Sequence, residues 1–416
     1  TALTTFVALQ TAETRYDQLD RKIREWSYGA SGGIQSMTEM KYDLAGRLEC
    51  TALRMNQTLF ATIAAESTPA VSACALRSQG SGADDHGPDR ITKLTYDAAG
   101  QLLKTTVAYL TADQADDTTN SYTDNGKLKT VADGENNLTT FEYDGHDRLL
   151  KTRYPVTTTG ALASSTTDYE QLTYDSNDNV VTHRKRDGQL VNFAYDALNR
   201  KTSKDTPNTA HFDYDISYQY DLLDRLIFAS TSNAHTNGFT YDALGRLTVQ
   251  QMYNATTYNS YDIAGRRTRM QWFDGNYVDY DYDVSGSMTA IRENGATSGI
   301  GVLATYGYDD LGRRISLTRG NGTQTTIAYD PVGRLKSYTQ DLSGTANDLT
   351  VNGPGSGGTS ITYNPASQLT GLTRNNDLYA WTGHYYLNRA YGTNGLNQLT
   401  TSGNVALGYD GRGNLT

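Results

Sequence analysis

The chain has 416 residues, of which 37% are hydrophobic and 20% charged, with a net charge of −10, a pI near 5.1 and a mean hydropathy of −0.60. The acidic balance argues against nucleic acid as the main partner, which wants a basic stripe, and no stretch approaches the roughly 20 apolar residues of a membrane span. Aromatics still reach 10%, with 31 Tyr against 8 Phe. That speaks against disorder and for a sheet wetted on both faces, because a tyrosine ring is apolar with a polar tip.

Residues 1–50 hold two copies of a seven-residue unit. One starts at Tyr16; the other is Tyr42-Asp43-Leu44-Ala45-Gly46-Arg47-Leu48, with Ser31-Gly32-Gly33 as a loose turn between them. Residues 51–92 break the pattern. Rich in Ala and Ser, with Gly80-Ser81-Gly82 and Gly87-Pro88, they read as an inserted loop with a short helix around Phe60 to Glu66. The only cysteines, Cys50 and Cys74, bracket this insertion. Two readings stay open for them. One is a disulfide staple on an exported protein, contributing on the order of 3 kcal/mol; the other is a pair of unpaired thiols in a cytosolic product.

The pattern resumes at Tyr96-Asp97-Ala98-Ala99-Gly100-Gln101-Leu102, passes a degenerate copy at Tyr122 and another copy at Tyr143, and meets a Thr/Ser/Ala-rich bulge over residues 155–168. From Tyr174 to Tyr329 it is most regular. Copies start at Tyr195 and Tyr220, then come Tyr241-Asp242-Ala243-Leu244-Gly245-Arg246-Leu247, Tyr261, Tyr282, Tyr308 and Tyr329-Asp330-Pro331-Val332-Gly333-Arg334-Leu335. Residues 341–360 loosen around Gly353-Pro354-Gly355-Ser356-Gly357-Gly358. Late copies at Tyr363 and Tyr409 flank a noisier stretch, Tyr379 to Leu399. The chain opens in a polar, repeat-like region at Thr1 and stops at Asn414-Leu415-Thr416, within a repeat, so it reads as a fragment of a longer protein. Between Tyr220 and Tyr282 the copies recur every 20 or 21 positions, which marks an array.

The unit reads as a hairpin with a three-residue loop, a type I turn followed by one left-handed residue in a G1 bulge. With Ala243-Leu244-Gly245 in the loop, Gly245 takes the positive φ, Asp242 opposes Arg246, and Tyr241 opposes Leu247. Alternation along a strand then places the ion pair on one face and the Tyr–Leu pair on the other. The variants obey backbone chemistry. Asp20, Asp147, Asp178, Asn199, Asp224 and Ser367 replace the glycine, mostly residues that tolerate the left-handed region. Pro331 and Pro365 occupy the first loop position, where a fixed φ suits a type I turn. Between copies, Asp133-Gly134, Asp187-Gly188, Asn237-Gly238, Asp274-Gly275, Asn294-Gly295 and Asn321-Gly322 predict two-residue hairpin turns.

Chemistry-bearing motifs are sparse. Gly353 to Gly358 matches G-x-G-x-x-G, but a strand rather than a helix follows, so it reads as a flexible loop. The repeated aspartates each have a turn to open and an arginine to face, and the Gly-Gly-x-Gly-x-Asp pattern of calcium-binding repeats is absent. His86, His146, His183, His211, His235 and His384 are scattered, which gives zinc no support. His183-Arg184-Lys185-Arg186 reads as a solvated strand end. Trp26, Trp272 and Trp381 read as packing between strands, with sugar-stacking platforms as the other reading. No catalytic residue, cofactor or metal site follows.

The number of Tyr-Asp copies resembles the Rhs/YD-repeat family over nearly all of the chain. The resemblance implies an all-β fold in which tandem YD-repeat hairpins form one long antiparallel sheet spiralling into a hollow shell, here residues 1–416, as in bacterial Rhs-type toxin shells, the cocoon of insecticidal toxin complexes and teneurin shells. It also implies a container role. The partner would be a C-terminal toxin or core segment of the same longer polypeptide, and the self-cleaving segment that follows the repeats in the family is not in this chain. The alternative is a secreted or cell-surface adhesin whose partners are cell-surface glycans.

Overall fold

The computed structural model describes residues 10–29, 33–82, 85–206, 214–353, 360–376, 390–411 and 413–416. The chain divides into two units, one built of Thr1–Gly134 and Thr323–Tyr385, the other of Glu135–Gly322 and Tyr386–Thr416. Nearly all regular structure is β, and 28 strands take part in the main antiparallel sheet.

In the first unit each strand from Gln10–Tyr16 to Leu128–Asp133 pairs with its successor in the chain. Gln324–Tyr329 opens a second run that passes through Leu335–Asp341 and Leu349–Asn352 to Thr373–Arg374. In the second unit the same meander runs from Leu138–Tyr143 to Arg314–Thr318. A small three-stranded sheet, from Tyr391–Thr393 to Val405–Ala406, follows in that unit.

The seven-residue unit folds as its turn chemistry requires. In the Tyr241 copy Gly245 has φ 81° and donates its N–H to Asp242 O at 3.0 Å, while Asp242 N–H reaches Arg246 O at 3.0 Å. Thr240 pairs with Val249 but Tyr241 pairs with Leu247, so Thr248 is the extra residue of the bulge. Asp20, Asp147, Asp178, Asn199, Asp224 and Ser367 all take positive φ at the glycine position, between 56° and 65°.

The second set of turns departs from the two-residue expectation. At Asp274-Gly275, Gly275 N–H bonds Trp272 O and Trp272 N–H bonds Asn276 O, so the loop has three residues. Asp274 Oδ1 accepts the N–H of Asn276; this side-chain bond holds a type I turn in which only the glycine is left-handed. Asp187-Gly188 folds in the same way, with Lys185 N–H on Gln189 O. Asn237-Gly238 is not a turn at all. It lies within strand Thr236–Tyr241, with Gly238 opposite Phe228 and Gln251. The turn sits earlier, where Ala234 has φ 66° and Thr231 N–H bonds His235 O, because the register is fixed from the Tyr241 end of the strand. Asn294-Gly295, with φ 48° and 76°, is the expected two-residue turn.

Most strand residues are half-buried on both faces. The exception is in the first unit, where the segment between strands Leu48–Leu53 and Arg90–Tyr96 covers one sheet face. Its helix is Phe60–Ala65, and the strands extend to Leu53 and from Arg90, inside the sequence limits of 51–92. The helix buries Phe60 and Ile63 against Trp26 and Met37, and Ala73 packs with Cys50, Ala52 and Ile91.

Candidate functional site

Within each unit, neighbouring turns are linked copy to copy. Within one turn, Asp242 Oδ1 accepts the backbone N–H groups of Leu244 and Arg246, each at 2.9 Å, and Arg246 Nε donates to Asp242 Oδ2 at 2.7 Å. The remaining arm of Arg246 leaves its own copy. Its Nη1 donates to Asp262 O at 2.9 Å, and its guanidinium lies 4.9 Å from the Tyr261 ring centroid. In the opposite direction the Tyr261 hydroxyl donates to Leu247 O at 2.8 Å.

Other copies that carry an arginine repeat this arrangement, whereas Lys127, Asn179 and Ser287 stand in its place elsewhere. Arg47 lies over Tyr96 and donates to Asp97 O at 3.0 Å; Arg334 lies over Tyr363. The tyrosine bond runs from Tyr42 to Lys22 O, Tyr96 to Leu48 O and Tyr241 to Leu226 O. Gly46, Gly100 and Gly333 supply the positive φ, at 82°, 86° and 86°, and Asp43–Arg47 and Asp330–Arg334 form the within-turn ion pairs. Gln101 stands where arginine is usual, and it donates to Gly126 O of the next copy. Tyr329 pairs with Leu335 across its own turn. The expectation that ion pairs and tyrosines keep to opposite faces therefore fails between copies. The bulge interrupts strand alternation at the turn, and an arginine side chain is long enough to span to the neighbouring hairpin.

These contacts depress the aspartates. The hydrogen bond from Arg148 holds the Asp144 carboxyl down at about 2. Backbone hydrogen bonding from Arg246 lowers Asp242 in the same sense. Burial pushes the Tyr96 hydroxyl up.

A second constellation gives little sequence signal. Arg24 and Glu39 are fully buried, Arg54 is 1% exposed and Asp89 3%. Glu39 Oε1 is 2.6 Å from Arg24 Nη2, its Oε2 is 2.7 Å from Arg54 Nε, and Arg54 Nη1 is 2.6 Å from Asp89 Oδ2. Arg77 and Glu66 complete the group at 3.0 Å. Three arginines thus face three carboxylates, so the buried charge sums to zero. Arg54 also donates to Ala75 O and Ser72 O, which ties the insertion to the sheet. Burial alone would raise Glu66, but hydrogen bonds led by that of Arg77 outweigh it and hold the carboxyl below its ordinary range. Cys50 and Cys74 are bonded sulfur to sulfur in the same region, with their Cα atoms 5.3 Å apart.

Trp26 is 4% exposed and belongs to the core beside the helix; Trp272 is half-buried. Arg184 lies over the Tyr169 ring, Arg186 pairs with Asp168, and His183 Nε2 is 3.5 Å from Glu170 Oε2, so the basic run is partnered rather than merely solvated. Gly353 is buried, while residues 354–358 of the glycine-rich run, Trp381, His211 and His384 lie outside the described residues. Among the described residues, no group of three His, Cys, Asp or Glu is placed to hold a metal, and no helix is long and apolar enough to cross a membrane. One YD turn escapes the sequence reading. Asn394-Gly395-Leu396-Asn397-Gln398-Leu399 closes with Asn397 at φ 58°, with Thr393 in the tyrosine place.

The structure is thus an array of hairpins joined turn to turn by Tyr, Asp and Arg. Residues 192–351 match the family model described as Teneurin YD-shell, and residues 122–159 match that of the RHS repeat. Over these stretches the chain is a YD/RHS-repeat array. None of the curated proteins compared matches it. Among solved structures, a crystal structure of TcdB2-TccC3 is 13% identical over 97% of this chain and 25% of its own, with a TM-score of 0.50. A TcdB2-TccC3-Cdc42 structure is 13% identical over 98% of this chain and 26% of its own, with a TM-score of 0.49. The first of these likenesses shows the fold alone. The chain spans about a quarter of the length of both structures.

Proposed function

We propose that this chain is wall. It forms a structural part of a YD-repeat shell that encloses and protects a C-terminal toxin or core segment of the same longer polypeptide, and it carries out no catalysis of its own. The protein it belongs to is secreted or displayed at the cell surface.

The observation that supports this most is the two-way pinning of neighbouring copies, with Tyr261 reaching back to Leu247 O and Arg246 reaching forward to Tyr261 and Asp262 O. The motif residues are used in holding one hairpin to the next, which suits a barrier more than a site. Limited proteolysis of the full-length polypeptide tests the reading. A C-terminal segment that survives digestion until the repeats are denatured supports enclosure. A segment digested at once, while the repeats resist, rules it out.

A second reading, glycan binding at a cell surface, draws on exposed aromatics such as Tyr258 at 48% and Phe273 at 66%. Retention on immobilised glycans, lost on replacing Phe273 by Ser, would favour it.

A further inference from the structure

The inserted segment between strands Leu48–Leu53 and Arg90–Tyr96 lies over one face of the sheet, held by apolar, polar and covalent contacts. The apolar contacts are few. Phe60 and Ile63 meet Trp26 and Met37, and Ala73 meets Ala52 and Ile91. The charged contacts are many, but they divide into two neutral sets. On the sheet side stand Arg24, Glu39, Arg54 and Asp89, joined in a chain at 2.6–2.7 Å. On the insertion side stand Glu66 and Arg77, joined at 3.0 Å. The bonds that cross between the sides include Arg24 Nη2 to Glu66 Oε2 at 3.0 Å and Arg77 Nε to Glu39 Oε2 at 3.2 Å. Arg15 and Arg24 also donate to Glu66 O, Arg54 to Ser72 O and Ala75 O, and Arg77 N–H to Asp89 Oδ2.

Lifting the segment therefore strands no charge. Each set keeps its own partners and regains water, and a buried ion group returns little net stability for the dehydration it costs. The crossing hydrogen bonds are exchanged for bonds to water, so their net contribution is modest. What remains is the covalent link. Cys50 lies in the sheet strand and Cys74 in the insertion, bonded sulfur to sulfur. Cys50 is fully buried and Cys74 half-buried, so the end reached from solvent belongs to the insertion.

We propose that the Cys50–Cys74 disulfide is a redox latch, and that its reduction by a thiol of the glutathione class lifts residues 56–82 off the sheet face. A thiolate of the reductant attacks Cys74 Sγ, and Cys50 leaves as a thiolate that takes a proton. A second reductant thiol attacks the mixed disulfide and frees Cys74 as a thiol. Two reductant thiols become one disulfide, and the protein gains two electrons and two protons. Disulfides persist in oxidising surroundings and are reduced in a cell interior. The covered form belongs to the first setting; the lifted form, with Trp26 and Met37 uncovered, belongs to the second. The proposal goes beyond the wall reading and holds whether or not a segment is enclosed.

The test is native-state proteolysis of the chain, either oxidised or treated with reduced glutathione and then blocked with iodoacetamide. Both reagents are removed before subtilisin is added, and fragment masses locate the cuts. Cutting within residues 56–82 is expected to quicken on the order of a hundredfold after reduction, as a link of sequence separation 24 is released. Circular dichroism of the sheet and the resistance of the hairpins from Tyr143 to Tyr308 should not change. A variant carrying Cys50→Ala and Cys74→Ala should be cut at the reduced rate with or without glutathione, which separates loss of the bond from the bulk of the blocking group. Reoxidising unblocked chain with glutathione disulfide should restore resistance.

A Cys74 that takes no iodoacetamide after native glutathione treatment overturns the proposal. So does a reduced chain, or a double variant, cut as slowly as the oxidised chain. Cutting that quickens equally in the hairpins means that the sheet itself has unfolded, and the proposal then fails as well.

Discussion

Gly245 sits at φ 81°, and a Cβ added there would have only the end of Arg225 within 4 Å, so its requirement is backbone conformation rather than space. A β-branched residue is strained there. Gly245→Val is expected to lower unfolding free energy by about 1–3 kcal/mol, read from the urea midpoint. Gly245→Asn should cost clearly less, since Asn199 holds φ 60° at the same place. Ala243→Pro should leave the midpoint near wild type, as Pro331 fills that position in a folded turn. Equal losses for Val and Asn would contradict the left-handed assignment. Tyr241→Phe keeps the ring under Arg225 and removes only the hydroxyl bond to Leu226 O. It is expected to cost about 0.5–1.5 kcal/mol, and amide exchange should quicken at the strands flanking Leu226 before it does elsewhere.

The insertion between strands Leu48–Leu53 and Arg90–Tyr96 differs from the repeats because its charges are out of water. Removing one partner of a buried ion group leaves the others uncompensated. Arg54→Met is therefore expected to cost about 3–5 kcal/mol, since Asp89 loses its ion-pair partner at 2.6 Å and Glu39 one of its buried arginines. The matching change in a half-exposed turn, Arg246→Met, should cost about 1 kcal/mol or less for its ion pair. Chemical denaturation of both variants checks the contrast, and equal costs would mean that water reaches the Glu39 group. The Cys50–Cys74 link closes a loop with a sequence separation of 24. Replacing both cysteines by Ala should lower stability by about 3 kcal/mol and expose the Phe60 helix to protease first.

Across the whole molecule, acid acts on many equivalent carboxylates together. Asp17, Asp43, Asp144, Asp196, Asp242, Asp262 and Asp309 are all held below the ordinary carboxylate value by their turns. A depressed native pKa contributes stability that is fully present above the unfolded value near 3.8 and is lost as pH falls through the folded value, about 2 at Asp144. Stability should thus hold down to about pH 4 and then fall toward pH 2, with several protons taken up per chain. Circular dichroism with potentiometric titration measures both. Loss of structure well above pH 4, with no proton uptake below it, would remove the turn aspartates as the cause. Because each copy contacts its neighbours in chain order, stability should also accumulate by nearest-neighbour terms.

The turns were legible in the sequence by itself. Whether Gly46, Asp20 or Asn199 takes a positive φ depends on a few adjacent atoms, and spacing alone located nearly every copy. The copy at Asn394 escaped because threonine replaces its tyrosine, and Asn237-Gly238 misled because register, which is set from the far end of the strand, overrides a local turn preference. The tertiary structure alone decided which groups meet across copies. That Arg246 reaches Tyr261, or that Glu39 in an outwardly polar strand is fully buried between Arg24 and Arg54, depends on which hairpin or inserted segment lies alongside. Such neighbours are fixed by strand pairing and by the covering of a sheet face, and neither is encoded within the few residues where the contact is made.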